Sequence, residues 1–166
     1  MIHLLEHALR AIHLLSAAAW FGSLVYRVFV VDRKMASFFG GGSEYERFAL
    51  HLAHGMRYVV LAALVTCGLS GFALAGIHWN ASVEWQSLMA MKMALWVLAF
   101  ALFGYISWVY WPRRVFTDAS EWNAIRRRGL VLSLAMIGIA GLAMVLGQLG
   151  QSVVLATAEQ ASASHM

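Results

Sequence analysis

Residues 11–31 read AIHLLSAAAWFGSLVYRVFVV, and Arg27 carries the only formal charge in the stretch. A helix needs about 20 predominantly apolar residues to cross a bilayer, so this stretch is long enough to span. His13, Trp20 and Arg27 are spaced by sevens. Seven residues make almost two helical turns, so the spacing predicts that all three share one face, with Ser16 and Ser23 beside them. Imidazole and guanidinium are poorly solvated by lipid, and intramembrane residues of this kind face a bundle interior, a cofactor or a cavity.

The rest of the composition agrees with a membrane protein. The chain has 166 residues, of which 61% are hydrophobic and 12% charged. A soluble domain carries about twice that charge. Mean hydropathy is +0.70. The length fits one domain, over residues 1–156, followed by a polar tail at 157–166 that is expected to be disordered. The net charge of +4 does not imply a nucleic-acid partner, because the basic residues flank apolar spans. Cys67 is the only cysteine, so no intrachain disulfide is possible, and its apolar surroundings predict a small buried side chain. The mixed segment before the first span, with His3, Glu6, His7 and Arg10, does not read as a signal peptide.

Further spans are expected at about residues 57–76, 88–111 and 129–156. The second helix should begin earlier than its apolar core, near Glu44, after the break at Gly40–Gly41–Gly42–Ser43. Pro112, the only proline, is expected to end the third. Short connections make sequential helices antiparallel neighbours, so the predicted fold is all-α, an up-down four-helix transmembrane bundle.

Charge sets the expected orientation. The first connection carries Arg33, Lys34 and Arg47, and the third carries Arg113, Arg114, Arg126, Arg127 and Arg128, whereas residues 78–87 and the tail carry no Lys or Arg. By the positive-inside rule, the first and third connections face the cytoplasm. Both termini then face outward, which in a bacterial inner membrane is the periplasm.

Several side chains in these spans could carry chemistry. His13 suits a metal or haem iron, with Trp20 as a wall for a planar ring; it also suits a neutral histidine bonded to a neighbouring helix. Lys92 opens the third span on the side of Met89, Met93 and Trp96. It could ligate, pair with a propionate, or snorkel to the surface. His51 and His54 share a helical face and could hold a metal or simply mark an interfacial helix end. His78 closes the second span. Met89 and Met93 carry thioethers that suit Cu(I), although methionine is also an ordinary filler of apolar cores. Arg27 could bind a propionate, a quinone oxygen or a lipid phosphate, or reach headgroups. Gln148 and Gln151 could hydrogen-bond across the bundle, and Gly138, Gly141, Gly147 and Gly150 allow close helix approach. No P-loop, zinc-type Cys/His array or Ser/His/Asp grouping is present, which argues against a hydrolase or NTP-driven pump.

Taken together, His13-x6-Trp20-x-Gly22, Arg47-Phe48, Thr66-Cys67-Gly68-Leu69-Ser70-Gly71 and Leu88-Met89-Ala90-Met91-Lys92-Met93-Ala94-Leu95 resemble the copper-resistance protein D (CopD) membrane domain. The same histidine, tryptophan and lysine pattern, with Tyr26, Phe29 and Val30, is similar to the HemJ-type protoporphyrinogen oxidases. The resemblance covers roughly residues 8–112 and adds weight to His13, Lys92 and Trp20. It implies a compact four-helix membrane domain with a haem-associated His and Lys.

The expectation is therefore a small membrane protein holding b-type haem, possessing a redox role towards a quinol, a porphyrinogen or a periplasmic partner. Its cofactor residues would be His13, Lys92, Trp20 and Arg27, with His54 or His51 as ligand to a second haem. The alternative is a copper-transport or copper-homeostasis protein using His13, His78, Met89 and Met93. A homo-oligomer is compatible with either.

Overall fold

The computed structural model describes residues 2–40, 43–79, 82–114 and 121–163. It contains four helices long and apolar enough to cross a membrane, and no strand among the described residues. Helix α1 comprises Ile2–Tyr26, a π-helical turn Arg27–Val31, and Asp32–Phe39. Helix α2 is Ser43–Ile77. Helix α3 comprises Val83–Tyr105, a π-helical turn Ile106–Tyr110 and Trp111–Arg114. Helix α4 is Trp122–Ala163.

The helix boundaries have local causes. Gly40 closes α1 in the left-handed conformation (φ 63°), which glycine adopts without a Cβ penalty. Ser82 caps α3, its Oγ accepting from the Trp85 amide at 3.3 Å, with Glu84 in the first turn beside the positive end of the helix dipole.

The helices outrun the spans expected from the apolar runs. The first apolar helix extends over 37 residues, about 55 Å at 1.5 Å per residue against a hydrocarbon core of about 30 Å. Helix α3 continues through Pro112 to Arg114 instead of ending at residue 111. Pro112 lies two residues past the end of the π-helical turn, in the first turn of the segment Trp111–Arg114, where a proline's missing N–H is tolerated. Helix α4 begins seven residues before 129 and runs past 156 to Ala163, through a segment rich in alanine, the strongest helix former. Residues 164–166, including His165, lie outside the described residues.

Packing divides the bundle into two tight antiparallel pairs, α1 with α2 and α3 with α4, which meet each other less closely. Lipid supplies no hydrophobic driving force between helices, so close van der Waals contact must hold the pairs, and small side chains permit it. Ala99 and Ala140 lie with Trp20, Leu64, Phe103 and Met136 in the central core. A second core of Met35, Tyr45, Ala49, Ala53, Tyr110 and Trp111 fills the end where α1 meets α2 at Gly40. At the opposite end the two pairs separate around a cavity.

Candidate functional site

The cavity has a volume of about 710 Å³ and is lined by all four helices. That falls within the range of about 300–1,000 Å³ usual for small-molecule and cofactor sites. Its depth runs from His78, Trp85 and Gln151 near the helix ends down to Trp20, Trp96 and Ala140 above the central core.

His13 is its most constrained polar group. Nδ1 lies 2.9 Å from the Cys67 carbonyl oxygen and 3.2 Å from Ser70 Oγ. A carbonyl can only accept, so Nδ1 carries the proton and donates to it. Ser70 already donates to the carbonyls of Thr66 (2.6 Å) and Cys67 (3.1 Å), which leaves its oxygen as an acceptor. The ring is thus held in one tautomer, with the lone pair on Nε2, the arrangement that metal-ligating histidines use. Nε2 faces Lys92 Nζ at 3.4 Å, across the gap between the two helix pairs. Lys92 pairs with no carboxylate among the described residues.

Glycines make room for this pair. A Cβ on Gly71 would stand 2.9 Å from His13 Cε1, and one on Gly147 would stand 3.0 Å from Lys92 Nζ. Both are shorter than ordinary van der Waals contact. Gly68 lies under the Trp96 indole, and Gly150 accommodates Met89. Gly138 and Gly141 have open space around them, so of the four α4 glycines expected to allow close approach only Gly147 and Gly150, at the cavity end, do so. Trp96 then closes the seam between α2 and α3: its Nε1 donates to the Leu64 carbonyl at 3.0 Å, and its ring meets Phe72 edge-on at 5.3 Å.

Trp20 forms part of the cavity wall, as the stripe predicts, and is 4% exposed. Its indole N–H has no acceptor among the described residues. A buried donor left without a partner is unfavourable by about 1–3 kcal/mol, so an acceptor belongs beside it. Ser16 and Ser23, by contrast, are satisfied within their own helix, donating to carbonyls of Ile12, His13 and Trp20.

At the helix ends, Glu6 accepts from Arg10 Nη2 at 2.6 Å and from His78 Nε2 at 2.9 Å. This ties α1 to the end of α2 above the cavity. His78, Met89 and Met93 line the same cavity as His13. The residues named by either cofactor reading therefore converge, except for three. Arg27 lies in the opposite end of the bundle, 3.9 Å from Asp32 and 4.5 Å above the Trp111 ring. His51 and His54 are exposed and line no part of the cavity, because Ala49 and Ala53 occupy the packed face of α2 there. No three His, Cys, Asp or Glu side chains converge as a metal site among the described residues.

Residue types alone gave little warning of Ser70, Gly71 and Glu6. Each acts through a neighbour on another helix; Ser70 and Gly71 carried a signal only within the Thr66–Gly71 motif, and Gly147 only as a small residue on an apolar span. No protein family, curated protein or solved structure matches this chain.

Proposed function

We propose that the protein is a small redox protein of the bacterial inner membrane that binds b-type haem in the cavity between its two helix pairs. The observation that carries this reading is the His13 imidazole, held as the Nδ1–H tautomer by Cys67 and Ser70, with its Nε2 meeting Lys92 Nζ on the wall of an apolar cavity of about 710 Å³. A single ion would not need such a volume, whereas a planar macrocycle would. The unpartnered indole N–H of Trp20 and the Lys92 ammonium without a carboxylate both suit a ligand that brings acceptor or anionic groups. In this reading His13 would ligate the haem iron, Lys92 would be a second ligand or a propionate partner, and Trp20 would form part of the wall. Bound haem supplies one-electron exchange at its iron. The chain orients the imidazole, excludes water with apolar walls, and offers donors at fixed positions.

The excess of arginine at the opposite end orients that end towards the cytoplasm and the cavity towards the periplasmic leaflet. A visible spectrum of the detergent-purified protein tests the reading. A Soret band and a sharp α-band on dithionite reduction are expected, and their absence after expression with ample haem overturns it. Copper is the second reading, favoured by the presence of His78, Met89 and Met93 on the same cavity wall. Stoichiometric copper with no Soret band would select it.

A further inference from the structure

The cavity walls are unevenly covered. The α2–α3 seam is shut by Trp96, seated on Gly68 and bonded to Leu64. The end above is bridged by Arg10, Glu6 and His78. The exposed lining side chains lie mainly along α1 and α4: Leu14 (64% exposed) and Ala18 on one side, Gln148, Gln151 and Val154 on the other. The cavity therefore opens sideways, between two helices whose remaining surface is apolar enough to face lipid. Gln148 and Gln151 stand out on a span of mean hydropathy 2.4. They are spaced to share one helical face, and neither side chain has a hydrogen-bond partner among the described residues.

We propose that this lateral opening is a quinone site, admitting the ring of a membrane-dissolved quinone or quinol between α1 and α4, with Gln148 and Gln151 binding its ring oxygens. The chemistry of the rim selects this class. An amide has both an N–H donor and a carbonyl acceptor. It can bind the carbonyl of a quinone and the hydroxyl of a quinol equally, which an ammonium cannot. Depth agrees. Gly147 packs against Lys92, which places Gln148 beside the tenth residue of α3, about 14 Å along the helix from its start. That places Gln148 about halfway along the apolar part of α3, on a rim open to the lipid-facing side of the bundle. The proposal names the redox partner of the haem reading and rests on it for that role alone, since quinone binding itself requires no haem.

The experiment uses the full chain in nanodiscs of phosphatidylcholine, with and without haem, and decylubiquinone as the probe. Quinones quench tryptophan fluorescence, and Trp20, Trp85 and Trp96 line the cavity. Saturable quenching is expected in the haem-free preparation, since haem itself quenches these tryptophans; in the haem-loaded one, decylubiquinol should reduce the haem, read at the α-band. The quenching should weaken about tenfold or more in the Gln148→Leu/Gln151→Leu double variant, which loses two hydrogen bonds, and comparably in Ala18→Phe, which narrows the opening. Both changes place apolar groups on a lipid-facing rim, and an unchanged melting temperature confirms folding. Equal quenching in all three proteins overturns the proposal. So does quenching relieved by phosphatidylglycerol, which would give the opening to a lipid headgroup, or the absence of quenching in a dimer that buries the α1–α4 face. Loss of the Soret band with quenching retained would remove the haem reading and leave the quinone site standing.

Discussion

The two ends of this bundle solve opposite problems with the same four helices. At the Arg114 end, buried charge is paired with carboxylates and aromatic rings, although the Nε atoms of Arg57 and Arg114 have no hydrogen-bond partner among the described residues. Arg114 is 8% exposed and bonds Glu46, which also accepts from Arg126 Nε at 3.1 Å. Arg27 and Arg114 each lie 4.5 Å over the Trp111 ring, and Arg126 lies 4.4 Å over Tyr45. Tyr110 donates to the Ile125 carbonyl at 2.6 Å, and its ring packs against Gly129. Side chains of all four helices pack together there. At the cavity end a lysine and a histidine face each other with no carboxylate, a tryptophan N–H lacks an acceptor, and the helix pairs diverge. One end sets carboxylates and aromatic faces against its arginines; the other leaves Lys92 without a carboxylate beside a cavity. In the proposed reading, stability and binding are separated along the bundle axis.

Substitutions should separate them too. The largest effect on stability is expected from Glu46→Ala. Removing one partner of a buried ion pair typically costs about 3–5 kcal/mol, because the remaining charges stay buried without compensation. The melting temperature in detergent should fall sharply, and a change of only a degree or two would show that Glu46 is not the keystone of that end. Next comes Gly68→Ala, where a methyl group would collide with the Trp96 indole. Overpacking of this kind costs about 1–3 kcal/mol, and the variant should also lose Trp96 as the closure of the α2–α3 seam, read as a shift in tryptophan emission.

His13→Ala inverts the pattern. Its stability should stay within about 1 kcal/mol of the parent, since it forfeits little more than one hydrogen bond. The haem spectrum, however, should disappear. A retained spectrum would place the ligand elsewhere. Gly147→Ala is a gentler probe of the same pair, because the added methyl displaces Lys92 Nζ by only a few tenths of an ångström. A shifted Soret maximum with normal folding is the expected result. The smallest effect belongs to His51→Ala/His54→Ala. Exposed side chains away from packed features change stability by about 0.5 kcal/mol or less, and the spectrum should not move. A lost absorption component there would reveal a second haem and blur the contrast between the ends.

Much of this was legible in the chain before its fold. The heptad-like spacing of His13 and Trp20 does bring both to one cavity, because α1 is regular through Tyr26. Arg27 lies 14 residues beyond His13, about 21 Å further along the axis, and so reaches the other end of the bundle, at the first residue of a π-helical turn where the Asp32 amide bonds back five residues to the Arg27 carbonyl. An extra residue in a turn rotates everything beyond it relative to the preceding face. No residue pattern in this segment announces it. The same device in α3, where Trp111 N–H bonds the Ile106 carbonyl, sets Trp111 beside Arg27.

Composition and spacing by themselves determined that the chain crosses a membrane on four helices and which end gathers arginine, because lipid exacts those properties residue by residue. What surrounds each histidine was decided only by tertiary structure. His13 stands in an apolar span with Trp20 seven residues on, and His51 and His54 near a helix end, but no local pattern says which ring another helix will hold. A ring becomes a candidate ligand when another helix fixes its tautomer, a glycine opposite gives it room, and the walls around it leave a cavity. Cys67, Ser70, Gly71 and Gly147 supply the first two on helices other than α1, and the divergence of the two helix pairs supplies the third.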